Sequence, residues 1–213
     1  MSQALLEHSP VISDRGLRRA IGVVGMLLPV TLWLGARFVA GTPLQSSVSS
    51  YYYTVVGDVF VGAICVIGVF LMAYRGYSPA DNLAGHLACL FAVGVGLFPT
   101  EPLDPDPQQE LVGTIHLICA ALLFVTLAYF CLALFRKTSQ HRVPTAEKLR
   151  RNQIYTICGW TIIGCIALIA AAFFLSEDSP VKRLRPVFWL EAFAIMAFGI
   201  SWLTKGETWL ADR

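Results

Sequence analysis

The chain has 213 residues, of which 56% are hydrophobic and only 14% charged, and its formal net charge is +2. Soluble domains carry about 25% charged residues, so a water-soluble globule is excluded, as is a disordered chain, which would be far less apolar. The small net charge offers nothing to a nucleic acid, and the composition is that of an all-α, polytopic membrane protein whose first partner is the lipid bilayer.

In chain order, Arg15, Arg18 and Arg19 precede the first apolar run, and no small-residue cleavage pattern follows it. That first helix is therefore expected to stay as an anchor. A bilayer core about 30 Å thick needs roughly 20 apolar residues at 1.5 Å each. Segments near 20–40, 55–74, 83–98, 113–135, 154–175 and 187–204 approach or meet that need. They predict a six-transmembrane-helix bundle forming one domain over 1–213, with the short third span either lengthened by the polar start of its helix or set in a locally thinned bilayer. Gly22, Gly25 and Pro29 in the first span predict close helix approach and a kink, and Gly94 and Gly96 in the third predict tight packing. The six cysteines (65, 89, 119, 131, 158 and 165) all fall within spans and read as small packing residues.

Twelve of the sixteen Lys and Arg residues fall on one side of this arrangement, including Arg75, Arg136, Lys137, Arg142, Lys148, Arg150, Arg151, Lys205 and Arg213. Both termini are therefore expected on the cytoplasmic side. The exceptions are Arg37 and the group Lys182, Arg183 and Arg185, which stands beside Glu177 and Asp178. The basic segment 136–151 would attract anionic lipid at about 1 kcal/mol per residue near the surface. Two loops on the expected outer side lack Lys and Arg. Segment 42–54 is serine-rich and ends in Tyr51, Tyr52 and Tyr53; segment 99–112 carries Glu101, Asp104, Asp106 and Glu110. Its four prolines predict a stiff extended cap rather than a helix.

Ionisable groups inside spans are costly and usually face the bundle interior. Arg37, Asp58, His116 and Glu191, on four different spans, all fall at a similar outer depth. If they converge, they form an outward polar pocket roofed by the tyrosines and the acidic loop. Arg37, Ser50, Tyr51, Tyr52, Tyr53, Asp58, His116 and Glu191 are then the ligand-binding candidates. Arg37 would take a carboxylate or phosphate and Asp58 or Glu191 an amine, as in a lipid head group or small zwitterion. Each residue also has a plainer role: an Arg37–Asp58 ion pair, a His116 bond to a carbonyl, or a Glu191 pair with Arg185 or Lys182.

An enzymatic alternative makes Asp58, His116 and Glu191 the catalytic set of a lipid hydrolase or transferase, with Ser49 or Ser50 as nucleophile. The same three are weak zinc candidates, since zinc sites usually contain several histidines. Haem is disfavoured because His86 and His116 would stand roughly 18 Å apart along the membrane normal. A transporter or channel would be expected to place an ionisable residue near the midplane, and none is seen. A second copy of the chain or another membrane protein stays open as a partner.

Ser49-Ser50-Tyr51-Tyr52-Tyr53-Thr54, Gly57-Asp58-Val59-Phe60-Val61-Gly62, Phe70-Leu71-Met72-Ala73-Tyr74-Arg75-Gly76, the Gly94–Pro99 stretch and His116 together resemble uncharacterised bacterial six-span proteins of the Frag/DRAM/Sfk-like superfamily. The resemblance implies a six-helix bundle with an outward polar site at Asp58 and His116, and brings little on activity. A rival likeness is to the seven-span alkaline ceramidase and PAQR hydrolases. This chain departs from them in span number and lacks an H-x-x-x-H in its last span.

Overall fold

The computed structural model describes residues 13–74, 76, 78–138, 143–176 and 178–212. Arg75, Arg142, Glu177 and Arg213, which enter the charge asymmetry, lie outside them. Every regular element described is helical. The long helices are α1 (Asp14–Ala40), α2 (Gly57–Met72), α3 (Pro79–Leu97), α4 (Pro107–Tyr129), α5 (Ala146–Ala172) and α7 (Pro186–Lys205); α6 (Pro180–Arg183) is one turn. A 3-10 turn, Ser49–Tyr53, lies between α1 and α2, and a π-turn, Phe130–Leu134, prolongs α4.

Helix starts follow from side-chain chemistry. Ser13, Ser78, Asp106 and Thr145 each accept a backbone N–H as N-cap. Pro79, Pro107 and Pro186 occupy first helical positions, where their missing N–H costs nothing. This corrects the stiff-cap expectation for 99–112. Pro107 starts a helix, and Asp106 with Gln109 forms a capping box, so only the first half of that segment is irregular.

Four helices are long and apolar enough to cross a membrane: Asp14–Ala40, Pro107–Leu134, Ala146–Ala172 and Pro186–Lys205. Gly57–Met72 and the apolar stretch Asp81–Leu97 are shorter, at about 24 and 26 Å. Val23, Leu27, Val30, Leu34 and Phe38 form an exposed stripe along α1, and Leu111, Ile118, Leu122 and Val125 another along α4. Apolar stripes of this extent fit lipid as solvent and do not fit water. The protein is a helical membrane protein.

The helices pack as a closed ring, α1 to α2, α2 to α3, α3 to α4, α4 to α5, α5 to α7 and α7 back to α1. In α7, 56% of the apolar window is buried, against 28–33% in the other three candidate spans, so α7 is the most enclosed of the four. Bundles in lipid gain little from hydrophobic burial and rely on close packing. Gly22 and Gly25 of α1 do this against Gly199 of α7: a Cβ on Gly22 would sit 2.8 Å from the Gly199 carbonyl, and one on Gly199 equally close to that of Gly22. Pro29 is buried on the same face. Gly94 meets Cys119 of α4, and Gly96 meets Cys65 and Ile64 of α2. The six cysteines are free thiols.

One end of the ring, here the basic end, holds the N-terminus of α1 and the C-terminus of α7. Tyr74, Phe130, Phe135, Tyr155, Phe198 and Trp202 pack there edge-on or tilted, with centroids 5.0 to 6.2 Å apart. The π-turn brings Phe130 and Phe135 into that cluster, with Phe135 N–H donating to the Phe130 carbonyl. The segment after α7 folds back over it, with Glu207 and Leu210 at positive φ. It is tied by Arg15 to Glu207 at 2.9 Å, Arg19 to the Gly206 carbonyl at 3.0 Å, and Arg151 to Asp212 at 2.7 Å. The opposite end carries segment 42–54, and is the serine-loop end.

Candidate functional site

The serine-loop end gathers the four ionisable groups picked out by depth, but each acts locally. Arg37 is exposed and donates to the Gly41 carbonyl at 3.3 Å. It reinforces a helix end in which Gly41, at φ 65°, and Thr42 donate back to Arg37 and Ala36. Asp58 is exposed in the first turn of α2. No ion pair joins it to Arg37; the ion pairs among the described residues are Arg15–Glu207, Lys137–Asp81 and Arg151–Asp212.

His116 is 4% exposed, and its Nδ1–H donates to the Phe98 carbonyl at 2.7 Å. That carbonyl belongs to the C-cap of α3. Glu191 Oε2 accepts from the Val48 N–H at 2.6 Å, at the N-terminus of the 3-10 turn. In return, the Phe188 N–H of α7 donates to the Ser46 carbonyl at 3.1 Å. Glu191 therefore pairs with backbone of the serine loop, and not with Arg185 or Lys182.

A single electrostatic rule covers all four. Helix C-termini carry partial negative charge and attract donors and cations; N-termini attract acids. Arg37 and His116 stand at the C-termini of α1 and α3. Asp58 and Glu191 stand at the N-termini of α2 and the 3-10 turn. Their common depth is the common level of the helix ends.

The tyrosine triplet divides as well. Tyr51 is fully buried against Phe188, ring centroids 5.9 Å apart, and faces into the core rather than over a pocket. Burial raises its hydroxyl above the usual tyrosine value. Tyr52 is half-buried against the ring of Tyr53. Tyr53 is exposed, and its hydroxyl donates to the Thr100 carbonyl at 2.6 Å, joining the two loops. Ser50 shares hydroxyl bonds with Ser46 at 2.9 Å and Ser47 at 2.7 Å.

Two spaces open near this end. One is an open cleft of about 420 Å³ lined by Tyr53, Leu97, Phe98, Asp106, Gln108 and Gln109, with Pro99 and Val112. Of the residues expected at a site, only Tyr53 lines it. Asp106 was read from sequence only as one acid of the loop roofing the pocket and the two glutamines not at all, although the run Asp106-Pro107-Gln108-Gln109 is a readable helix start. The other is a small cavity of about 40 Å³ inside the ring, apolar apart from Ser49 and Glu191, with room for one or two waters. His116 and Asp58 line neither. Among the described residues no group of three His, Cys, Asp or Glu side chains could hold a metal ion. His86 is exposed on α3. No protein-family model, curated protein or solved structure matches this chain.

Proposed function

We propose that this is a six-span protein of a bacterial plasma membrane, with both termini cytoplasmic, that binds a lipid head group or small polar ligand in the outward cleft beside Tyr53. The observation that carries the reading is the cleft itself. Its volume lies in the range of small-molecule sites, and an aromatic face, a carboxylate and two amides meet along its walls. Neither of the two loops that line the cleft contains Lys or Arg. The chemistry therefore favours a ligand presenting an ammonium or hydroxyl groups, held by Asp106, stacked on Tyr53 and bonded by Gln108. Six spans are supported by the helix ring, in which α2 and α3 alternate in direction with their longer neighbours. Their shortness asks only for a locally thinner bilayer. The orientation is supported by the Lys and Arg asymmetry.

Native mass spectrometry of the full chain released from mild detergent tests the cleft. Wild type is expected to retain a small molecule or lipid that Asp106→Asn and Tyr53→Ala lose. Asparagine is as good an N-cap as aspartate, so that variant removes the charge and keeps the helix start. Equal retention by wild type and both variants, or none in any, refutes the cleft as a binding site.

A further inference from the structure

The basic end holds a second constellation, far from the cleft. Lys205 ends α7 with its ammonium 5.4 Å from the centre of the Phe135 ring. Lys148 of α5 reaches the same place: its Nζ donates to the Phe135 carbonyl at 2.6 Å and stands 5.6 Å from the centre of the Tyr155 ring. The Phe135 and Tyr155 rings are themselves 5.3 Å apart. Arg151, a turn further along α5, is buried, and Arg18 of α1 is half-buried. Arg18, Lys148 and Arg151 all lie close enough to Lys205 for their charges to act on it.

Two carboxylates lie nearby, and both are already matched. Glu207 pairs with Arg15 and Asp212 with Arg151. Neither Arg18 nor Lys205 forms a hydrogen bond or ion pair with any described residue. Three helices thus bring Arg18, Lys148 and Lys205 together in partly desolvated space, with no nearby carboxylate among the described residues left over to match them. Like charges in such surroundings repel more strongly than in water, and a fold that gathers them gains by admitting an anion. The donors are also plentiful. Lys205 keeps three N–H groups, Lys148 two and Arg18 five, the supply that a tetrahedral oxyanion accepts in charge-assisted bonds.

We propose that Arg18, Lys148 and Lys205, backed by Arg151, form a binding site for a phosphate group at the basic end of the helix ring. The phosphate can belong to a phospholipid head group in the adjoining leaflet or to a soluble phosphorylated molecule. Thermal unfolding of the full chain in nanodiscs separates the two sources. Inorganic phosphate is titrated at constant ionic strength in phosphatidylcholine discs, and phosphatidylglycerol is introduced in a parallel series without phosphate.

A saturable rise with inorganic phosphate identifies a soluble source, and a rise with phosphatidylglycerol alone identifies the lipid. In either case Arg18→Gln and Lys205→Gln are expected to weaken the response about tenfold each, the loss of one charge-assisted bond. Arg183→Gln, at the opposite end, leaves it unchanged. Without anion, Lys205→Gln is expected to melt no lower than wild type, because it relieves repulsion. The proposal is overturned by the absence of any response, by a response that survives in both glutamine variants, or by a lower melting point of Lys205→Gln without anion.

Discussion

Glu191 shows what a charged side chain does when its helix end meets a loop. Its carboxylate holds the Val48 N–H, and removing it strands that donor in a half-buried place. Glu191→Ala is expected to cost about 1–3 kcal/mol, the penalty of an unpaired buried polar group, with Glu191→Gln recovering part of it. His116→Leu strands the Phe98 carbonyl and belongs in the same range. Arg37→Ala and Asp58→Ala, exposed at helix ends, should each cost under about 1 kcal/mol. Thermal unfolding in detergent ranks the four, and a loss for Asp58→Ala equal to that of His116→Leu would falsify the helix-end account. Sequence alone could find these residues, because a charge within an apolar run stands out. It could not say what they touch, because Phe98 and Val48 lie far from His116 and Glu191 along the chain.

At the scale of elements, the crossing of α1 and α7 depends on glycine because two backbones meet there. Gly199→Val puts a branched side chain where even a Cβ would lie 2.6 Å from Met26 and 2.8 Å from the Gly22 carbonyl. Overpacking of this kind typically costs 1–3 kcal/mol. The flexible Met26 can give way, but the backbone of α1 can only separate. Gly164→Ala on α5, where nothing lies within 4 Å, is expected to hold the melting temperature or raise it slightly through better helix propensity, and comparison of the two by thermal unfolding checks the point. The glycine pairs and Pro29 were legible as packing signals on their own helices. Which helix faces them was not, since α7 follows α1 by more than 140 residues. The start of α4 was legible too, but the proline count in 99–112 outweighed the capping signal of Asp106.

Across the whole molecule, the start of α1 and the segment after α7 meet at the basic end and close the ring. Arg151 and Thr145 bond Asp212 and hold its carboxyl below the ordinary value of 3.8. A group whose folded value is depressed lends its stability above the unfolded value and loses it as pH falls through the folded one. The clasp on the segment after α7 should therefore be complete at neutral pH and release only below about pH 4. Trp209, whose indole N–H donates to Thr204 at 2.9 Å, reports the release by its fluorescence. Asp212→Asn should free the segment at neutral pH, and a segment that stays protected in that variant shows that Arg15 and Arg19 suffice.

Composition and hydropathy determined that this is a helical membrane protein and where its apolar helices lie. Those are properties of a chain in a solvent, and each depends on residues near one another in sequence. Only the tertiary structure decided that Arg37, Asp58, His116 and Glu191 stand at separate helix ends instead of meeting. It likewise decided that Tyr51 is core while Tyr53 edges a cleft, and that Arg18 and Lys205 share one space. Depth in a membrane follows from counting residues along a helix. Direction around the helix axis matters only once a neighbour is in place, and the neighbours here come from distant parts of the chain.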